Sequence, residues 1–255
     1  MTALRIEMQH ASPSLDPVRP TLELQNVSKR FGRNRVLDQV SLEFRAGRVS
    51  AILGPNAAGK STAMKIILGL VRPDSGRVLV NSMPVGTDPQ YRSTIGYMPQ
   101  NARFPDNLTG HEVVAMLRDL RSGLVPDDRL FQELELTTQL RQPIRTLSVG
   151  TRQKLNAAIA FMFRPSLLIL DEPTASLDPV ASNVLKTRIS ESRNEGCTVV
   201  LTSHVLAEVE DLADDVILLL EGKVAFAGTL RHLRQMTGEP RLERAVACLM
   251  KRAAP

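Results

Sequence analysis

The sequence predicts an α/β domain built on a largely parallel sheet, with a helical stretch inserted in its middle. Three observations point there. The apolar run Val49 to Leu53 leads straight into a loop bounded by Gly54 and Gly59, and then into a segment with helical spacing. Strand-like runs return at Leu167 to Leu170, Thr198 to Leu201 and Val216 to Leu220, separated by helices that start after Asp178 and His204. Between these halves, from Thr109 to about Pro165, the pattern is mainly helical.

Taken in order, residues 1–20 carry Pro13, Pro17 and Pro20 with little periodicity and read as a flexible leader. Leu22 to Val27 and Val40 to Phe44 alternate like half-buried strands, and Ala46-Gly47 turns the chain into Val49 to Leu53. Lys60 to Leu70 sets Ala63, Met64, Ile67 and Leu68 at helical spacing until Arg72-Pro73-Asp74-Ser75-Gly76 stops it. Ile95 to Met98 reads as a strand before Pro99-Gln100. Thr109 and Glu112 have capping-box spacing ahead of Val113, Val114 and Leu117, and Pro126 ends that stretch. Glu221-Gly222 reads as a tight turn into Lys223 to Phe226. The organisation expected is a leader at 1–20, a main domain at 21–230 with its helical subdomain at about 101–165, and a short, Arg-rich C-terminal extension at 231–255.

Composition narrows the function. The chain has 255 residues, 43% hydrophobic and 23% charged, enough for a sizeable core. No apolar run approaches the roughly 18 residues of a membrane span, so a membrane role has to come through partners. No secretory h-region precedes Pro20, which makes the cytoplasm the default location. Two cysteines, Cys197 and Cys248, form no disulfide framework. The four histidines show no ligand spacing with each other or with cysteine, which argues against a tightly bound transition metal. A formal charge of +5 is a modest basic bias that does not choose among anionic partners.

Three motifs carry chemistry. Gly54-Pro55-Asn56-Ala57-Ala58-Gly59-Lys60-Ser61, with Thr62 following, fits the phosphate-cradling P-loop, and it lies between a strand and a helix as that motif requires. Backbone N–H groups would surround phosphate oxygens, Lys60 would meet the β and γ phosphates of ATP, and the Ser61 hydroxyl would ligate Mg2+. Asp171-Glu172 ends an apolar strand, where ligands of open α/β sheets gather. There Asp171 would hold the Mg2+ shell, commonly through water, and Glu172 would polarise an attacking water. The third motif is Leu147-Ser148-Val149-Gly150-Thr151-Arg152-Gln153-Lys154, ahead of a helix rich in Ala and Ile. Free amides at that helix start attract an anion, and Ser148 is also an ordinary N-cap.

The order of P-loop, Gln100, the Ser148 segment, Asp171-Glu172, Ser176-Leu177-Asp178 and His204 resembles the nucleotide-binding subunits of ABC transporters, from about Leu22 to Leu230. The resemblance implies a P-loop ABC ATPase core with an antiparallel β subdomain and an inserted α-helical subdomain. It implies that Phe31 stacks on adenine, that Gln100 senses Mg2+ and contacts the membrane partner, and that His204 contacts the γ-phosphate beside the catalytic Glu172. It further implies that Ser148 and Gly150 cap the γ-phosphate held by a second subunit, with Val149, Gln153 and Asp178 at the dimer seam. The partners so implied are a transmembrane permease and a second copy or a related ATPase, with no direct nucleic acid. The chain would then lie on the inner face of the cell membrane through its partners.

Within that family the chain resembles drivers of ABC-2 exporters, through its single domain, short extension and the segment Gly238 to Ala245. Ile95 to Leu108 and Leu201 to Gly228 resemble Nos-type engines, which help mature the copper enzyme nitrous oxide reductase. Two departures stand out: Val149 and Ala57 occupy positions that are usually glycine, and each is costly if its backbone needs positive φ. The alternatives are a non-transport ABC ATPase, disfavoured by the single P-loop and the lack of a heptad run, and a regulatory subunit with weak turnover, suggested by Val149.

Overall fold

The computed structural model describes residues 21–86 and 89–253, so the leader expected at 1–20 lies outside the described residues. Among the described residues ten strands form two sheets. The first contains β1 (Leu22–Phe31), β2 (Asn34–Phe44), β4 (Ser75–Val80) and β5 (Met83–Pro84), in the order β2-β1-β4-β5 and antiparallel throughout. The second contains β3 (Val49–Leu53), β6 (Ile95–Met98), β7 (Leu167–Asp171), β8 (Thr198–Thr202), β9 (Asp215–Leu220) and β10 (Lys223–Thr229), in the order β10-β9-β3-β8-β7-β6. All its pairings are parallel except the hairpin of β9 with β10. This is the α/β architecture expected, with the antiparallel β subdomain in place.

The central strands are apolar along their whole length because both faces of the sheet are covered. Alternation then sorts their side chains into two cores. Ile52, Ile169, Val200 and Ile217 face the antiparallel sheet and helix α1 (Lys60–Ile67), packing with Leu22, Leu24, Met64 and Ile67. Ala51, Leu170, Val199 and Leu201 face the other way, into a core shared with the helical segments.

The mainly helical stretch resolves into α2 (Gly110–Leu120), a single turn α3 (Arg129–Glu133), two 3-10 turns and α4 (Val149–Phe161). The capping box at Thr109 and Glu112 is formed in full, with each residue's side chain bonded to the other's backbone N–H. The expected helix from Lys60 to Leu70 stops at Ile67. There Gly69, at φ 67°, turns the chain out of the helix, its N–H closing on the Ile66 carbonyl while Leu70 N–H reaches back to the Lys65 carbonyl. Asp127 fastens this region to the rest: its carboxylate, 4% exposed, meets Arg129 at 2.7 Å, Arg164 at 3.1 Å and, at 2.8 Å, the equally buried Arg188 of α5 (Pro179–Asn194). Arg129, through its hydrogen bond, and then Arg188 hold the Asp127 carboxyl far below the usual carboxylate range against the opposing effect of burial.

Past α6 (Leu206–Leu212), the C-terminal residues form α7 (Leu230–Thr237) and α8 (Leu242–Ala253). They are a helical hairpin and not a loose extension. Leu233, Leu242, Ala245, Val246 and Leu249 are buried in the same core as β9 and α6. Glu210 of α6 clasps both helices, its Oε1 accepting from Arg234 at 2.9 Å and from the Leu242 backbone N–H at 2.7 Å.

Candidate functional site

The three chemical motifs converge because of strand register. Thr202 pairs with Ile52 of β3 on one side and with Asp171 of β7 on the other, so the carboxyl ends of these strands stand side by side. The P-loop leaves β3, His204 follows the middle strand β8, and the acidic pair ends β7 on its other side. Between them lies a cleft of about 310 Å³ lined by Asn34, Val36, Asn56 to Thr62, Gln100, Asp171, Glu172 and His204.

The P-loop conformation depends on Gly59, which sits at φ 102° as the N-cap of α1. A Cβ there would lie 2.6 Å from the Val36 carbonyl oxygen and 2.7 Å from the Leu37 side chain, so no other residue fits. Because Gly59 offers no side-chain cap, the first amides of α1 remain available to an anion in the cleft. Lys60 reaches back over the loop, its Nζ donating to the Gly54 carbonyl at 2.7 Å and the Pro55 carbonyl at 3.0 Å. Burial lowers the pKa of its ammonium, and the charges of Glu172 and Asp171 oppose that shift.

Glu172 is 5% exposed and has φ 53°, an unusual backbone for a residue with a side chain. The bend turns its carboxylate toward His204, whose Nδ1 lies 2.9 Å from Oε1 and whose backbone N–H donates to Oε2 at 3.3 Å. Burial raises the Glu172 pKa most, Asp171 adds to the rise, and His204 and Lys60 oppose it. The carboxylate is thereby moved toward the neutral range where a base is most effective.

The sequence-based residues fall into three groups. Asn56 to Thr62 of the P-loop, with Gln100, Asp171, Glu172 and His204, share the one cleft, while Gly54 and Pro55 meet it only through their carbonyls bonded to Lys60. Gln100 is held close by its neighbour Pro99, whose carbonyl accepts from Asn156 Nδ2 of α4 at 2.8 Å. Phe31 does not line the cleft. It is 52% exposed at the end of β1, with Lys29 Nζ 5.4 Å from its ring centre. Asn34 and Val36 of the same hairpin do line it, and sequence reasoning missed both because only the crossing of β2 over Gly59 brings them there.

The Ser148 segment stands apart from this cleft. Ser148 caps α4, its Oγ accepting from the Thr151 N–H at 3.0 Å. Val149 is the first helical residue with ordinary negative φ, so the cost expected of a positive φ does not arise there. Its side chain is 60% exposed. Ala57 does carry that cost, at φ 65°. Gly150 is needed for its closeness to the loop after Glu172: a Cβ would sit 3.1 Å from the Ser176 carbonyl oxygen. Gln153, expected at the seam, is bonded within its own chain here. It is 6% exposed and its Nε2 donates at 3.5 Å to the Pro173 carbonyl of its own chain, because three residues beyond Gly150 the helix presents its inner face. Asp178 accepts from the Ala181 N–H at 2.8 Å and pairs with Lys154 at 3.1 Å.

A strand-loop-helix P-loop faced by an Asp-Glu pair and a histidine, with a helix N-terminus turned elsewhere, defines a nucleotide-binding cassette. A family profile described as ABC transporter matches residues 37–175. The lantibiotic transport ATP-binding protein SrtF of Streptococcus pyogenes is 36% identical over 209 residues, covering 80% of this chain and 88% of that one. The ABC transporter ATP-binding protein YdbJ of Bacillus subtilis, itself uncharacterised, is 32% identical over 88% of this chain and 74% of its own length. A solved structure of an ATP-binding subunit of an ABC transporter superposes with a TM-score of 0.84 at 30% identity, over 90% of this chain and 99% of that one. The chain belongs to the ABC transporter family, as one of its ATP-binding cassettes, and is an ATPase of that class.

Proposed function

We propose that this chain binds ATP with Mg2+ in the cleft between the P-loop and Asp171-Glu172, and that two copies close on two ATP molecules to drive a separate membrane permease. The observation that carries the reading is the single cleft that holds Lys60, Ser61, Gln100, Asp171, Glu172 and His204 together. The donor set fits the metal, since Mg2+ prefers oxygen ligands and the Ser61 hydroxyl, the Gln100 amide and the Asp171 carboxylate supply them. When bound, the ion neutralises phosphate charge. Lys60 and the α1 amides hold the phosphates, Asp171 orients the metal side, and Glu172 takes the proton of the attacking water. His204, already against Glu172, steadies that carboxylate and offers a contact to the γ-phosphate.

The dimer is supported by what the cleft lacks on this chain. Ser148 and Gly150 form an anion-ready helix start that faces no phosphate of its own chain, and Val149 is exposed beside it. A second copy supplies the nucleotide it caps. In that arrangement Asp178, Lys154 and the Thr174–Asp178 loop report the state of one site to the other. Phe31, free at the end of β1, keeps the adenine role as a contact outside the cleft lining.

Among the described residues no helix is long and apolar enough to cross a membrane, so a permease partner would carry the chain to the inner membrane face. Export is the favoured direction, in keeping with the similar lipopolysaccharide export system ATP-binding protein LptB of Haemophilus influenzae. The narrower reading, maturation of a copper enzyme, rests on the segments Ile95 to Leu108 and Leu201 to Gly228, and copper would then belong to partner proteins. The residue ranges 21–230 and about 101–165 remain the working boundaries of the ATPase domain and its helical part.

The decisive experiment is steady-state phosphate release by the purified chain with Mg2+ and ATP, beside Glu172→Gln. Turnover in the wild type that Glu172→Gln abolishes, with ATP-dependent dimers of the variant in sedimentation, supports the reading; equal phosphate release by both would overturn it. Affinity purification from membranes that recovers no integral partner would remove the transport assignment, and a neighbouring gene set of copper chaperones and reductase would favour the narrower one.

A further inference from the structure

One buried hydroxyl joins the two halves of the acidic motif. Thr202 ends β8, is fully buried, and directs its side chain at Asp171 and Glu172. Its Oγ1 donates to Asp171 Oδ1 at 2.6 Å and accepts from the Glu172 backbone N–H at 3.1 Å. The Thr202 carbonyl accepts from the same Glu172 N–H at 3.2 Å, so that amide is shared between two acceptors of one residue. Two residues on, His204 holds the Glu172 carboxylate. The end of β8 therefore grips both acidic residues, one by its side chain and the other by its backbone and its carboxylate.

We propose that Thr202 is a positioning residue for ATP hydrolysis, its hydroxyl fixing the orientation of the Asp171 carboxylate and the left-handed backbone of Glu172 at once. The physical case has two parts. A hydroxyl has one proton to give, and here it goes to Asp171 Oδ1, which sets the plane of the carboxylate and leaves Oδ2 for the cleft. Outer partners of this kind orient a metal-facing carboxylate, and losing one typically costs about 10- to 100-fold in metal affinity or activity. The second part is strain. Glu172 holds φ 53° only because its surroundings over-determine it, and the Thr202 hydroxyl is one of the two acceptors that pin its amide. A methyl in its place keeps the packing and removes both functions.

The inference rests on the hydrolytic reading above, and the test separates the two. Wild type, Thr202→Val, Thr202→Ser and Glu172→Gln are compared as full chains, in steady-state phosphate release and in binding of a fluorescent ATP analogue with and without Mg2+. Thr202→Val is expected to lower kcat about 10- to 100-fold, and to bind the analogue without Mg2+ as wild type does. It is also expected to lose most of the tightening that Mg2+ brings. Thr202→Ser, which keeps the hydroxyl, is expected to return both readouts to within about threefold of wild type. Should Thr202→Val not fold by circular dichroism, Thr202→Ala replaces it in the same comparison. Wild-type turnover with Val or Ala variants that match it, or a Ser variant as impaired as the Val one, would overturn the positioning role and leave the hydrolytic reading intact. No turnover by wild type would instead remove that reading, and the Mg2+ dependence of binding would still decide the role of Thr202.

Discussion

His204 Nδ1 lies 2.9 Å from Glu172 Oε1, which makes the histidine the nearest opponent of the burial that raises the Glu172 pKa. Removing the imidazole removes an influence that lowers this pKa. Under the proposed mechanism the base works only when ionised, so Glu172 would set the acid limb of the kcat profile. His204→Ala is expected to shift that limb to higher pH and to cut turnover at pH 7 by about 100-fold or more. Phosphate release measured from pH 5 to 9 checks both; an unshifted limb would mean that another group sets it.

Ala57 holds φ 65° within the P-loop, where its Cβ is a cost with no compensating contact to phosphate. Ala57→Gly relieves the left-handed strain of about 1–2 kcal/mol. It also loosens the unfolded chain by about 0.4–1 kcal/mol. The net expected is a gain of about 0.5–1 kcal/mol in urea unfolding, with nucleotide binding retained. A loss of stability would show that surrounding packing needs the methyl.

Gly150 and the Ser176 carbonyl approach so closely that an added methyl has to push the loop after Glu172 by a few tenths of an ångström. Gly150→Ala is expected to fold with a loss within about 1 kcal/mol. In the proposed dimer the same change would move the donors offered to the other copy's phosphate, and turnover is then expected to fall at least about tenfold. Urea melts beside phosphate release separate the two effects, and equal proportional losses would assign Gly150 to stability alone.

Asp127 neutralises the buried Arg188, and Asp127→Asn leaves that guanidinium only the half-exposed Glu191, at 3.0 Å, as an ionic partner. Breaking a buried pair costs about 3–5 kcal/mol when no second carboxylate remains, and the Glu191 contact places this loss toward or below the lower end. The pH dependence follows from the depressed pKa. Asp127 contributes its full stabilisation above the unfolded carboxylate value of about 4, and loses it as pH falls toward the lower folded value. Wild type and Asp127→Asn should therefore differ most above about pH 5 and converge in acid, as thermal melts across pH 2 to 7 will read.

The fold was legible where one residue type dominates a local choice. The apolar runs of β3, β7 and β8 announce a sheet covered on both faces, and Thr109 with Glu112 announces a helix start. The P-loop and Asp171-Glu172 are local too, since strand, turn and side chain adjoin in sequence. Asn34, Val36 and Thr202 were not legible, because their place in the site follows from β2 crossing Gly59 and from β8 lying between β3 and β7. The contact of Gln153 with Pro173 was illegible for the same reason: which face of α4 meets that carbonyl is a matter of packing, and spacing alone does not contain it. The C-terminal hairpin escaped because its arginines interrupt the apolar spacing of Leu233, Leu242, Ala245, Val246 and Leu249, which forms a core face only against α6 and β9.

That hairpin bears on how the protein tolerates being shortened. A chain cut after Thr229 would uncover Val209, Leu212 and Val216 and strip the Glu210 carboxylate of Arg234 and Leu242, which now close over it. Such a fragment would keep every residue that lines the nucleotide cleft and present to water the apolar surface that the last two helices now cover.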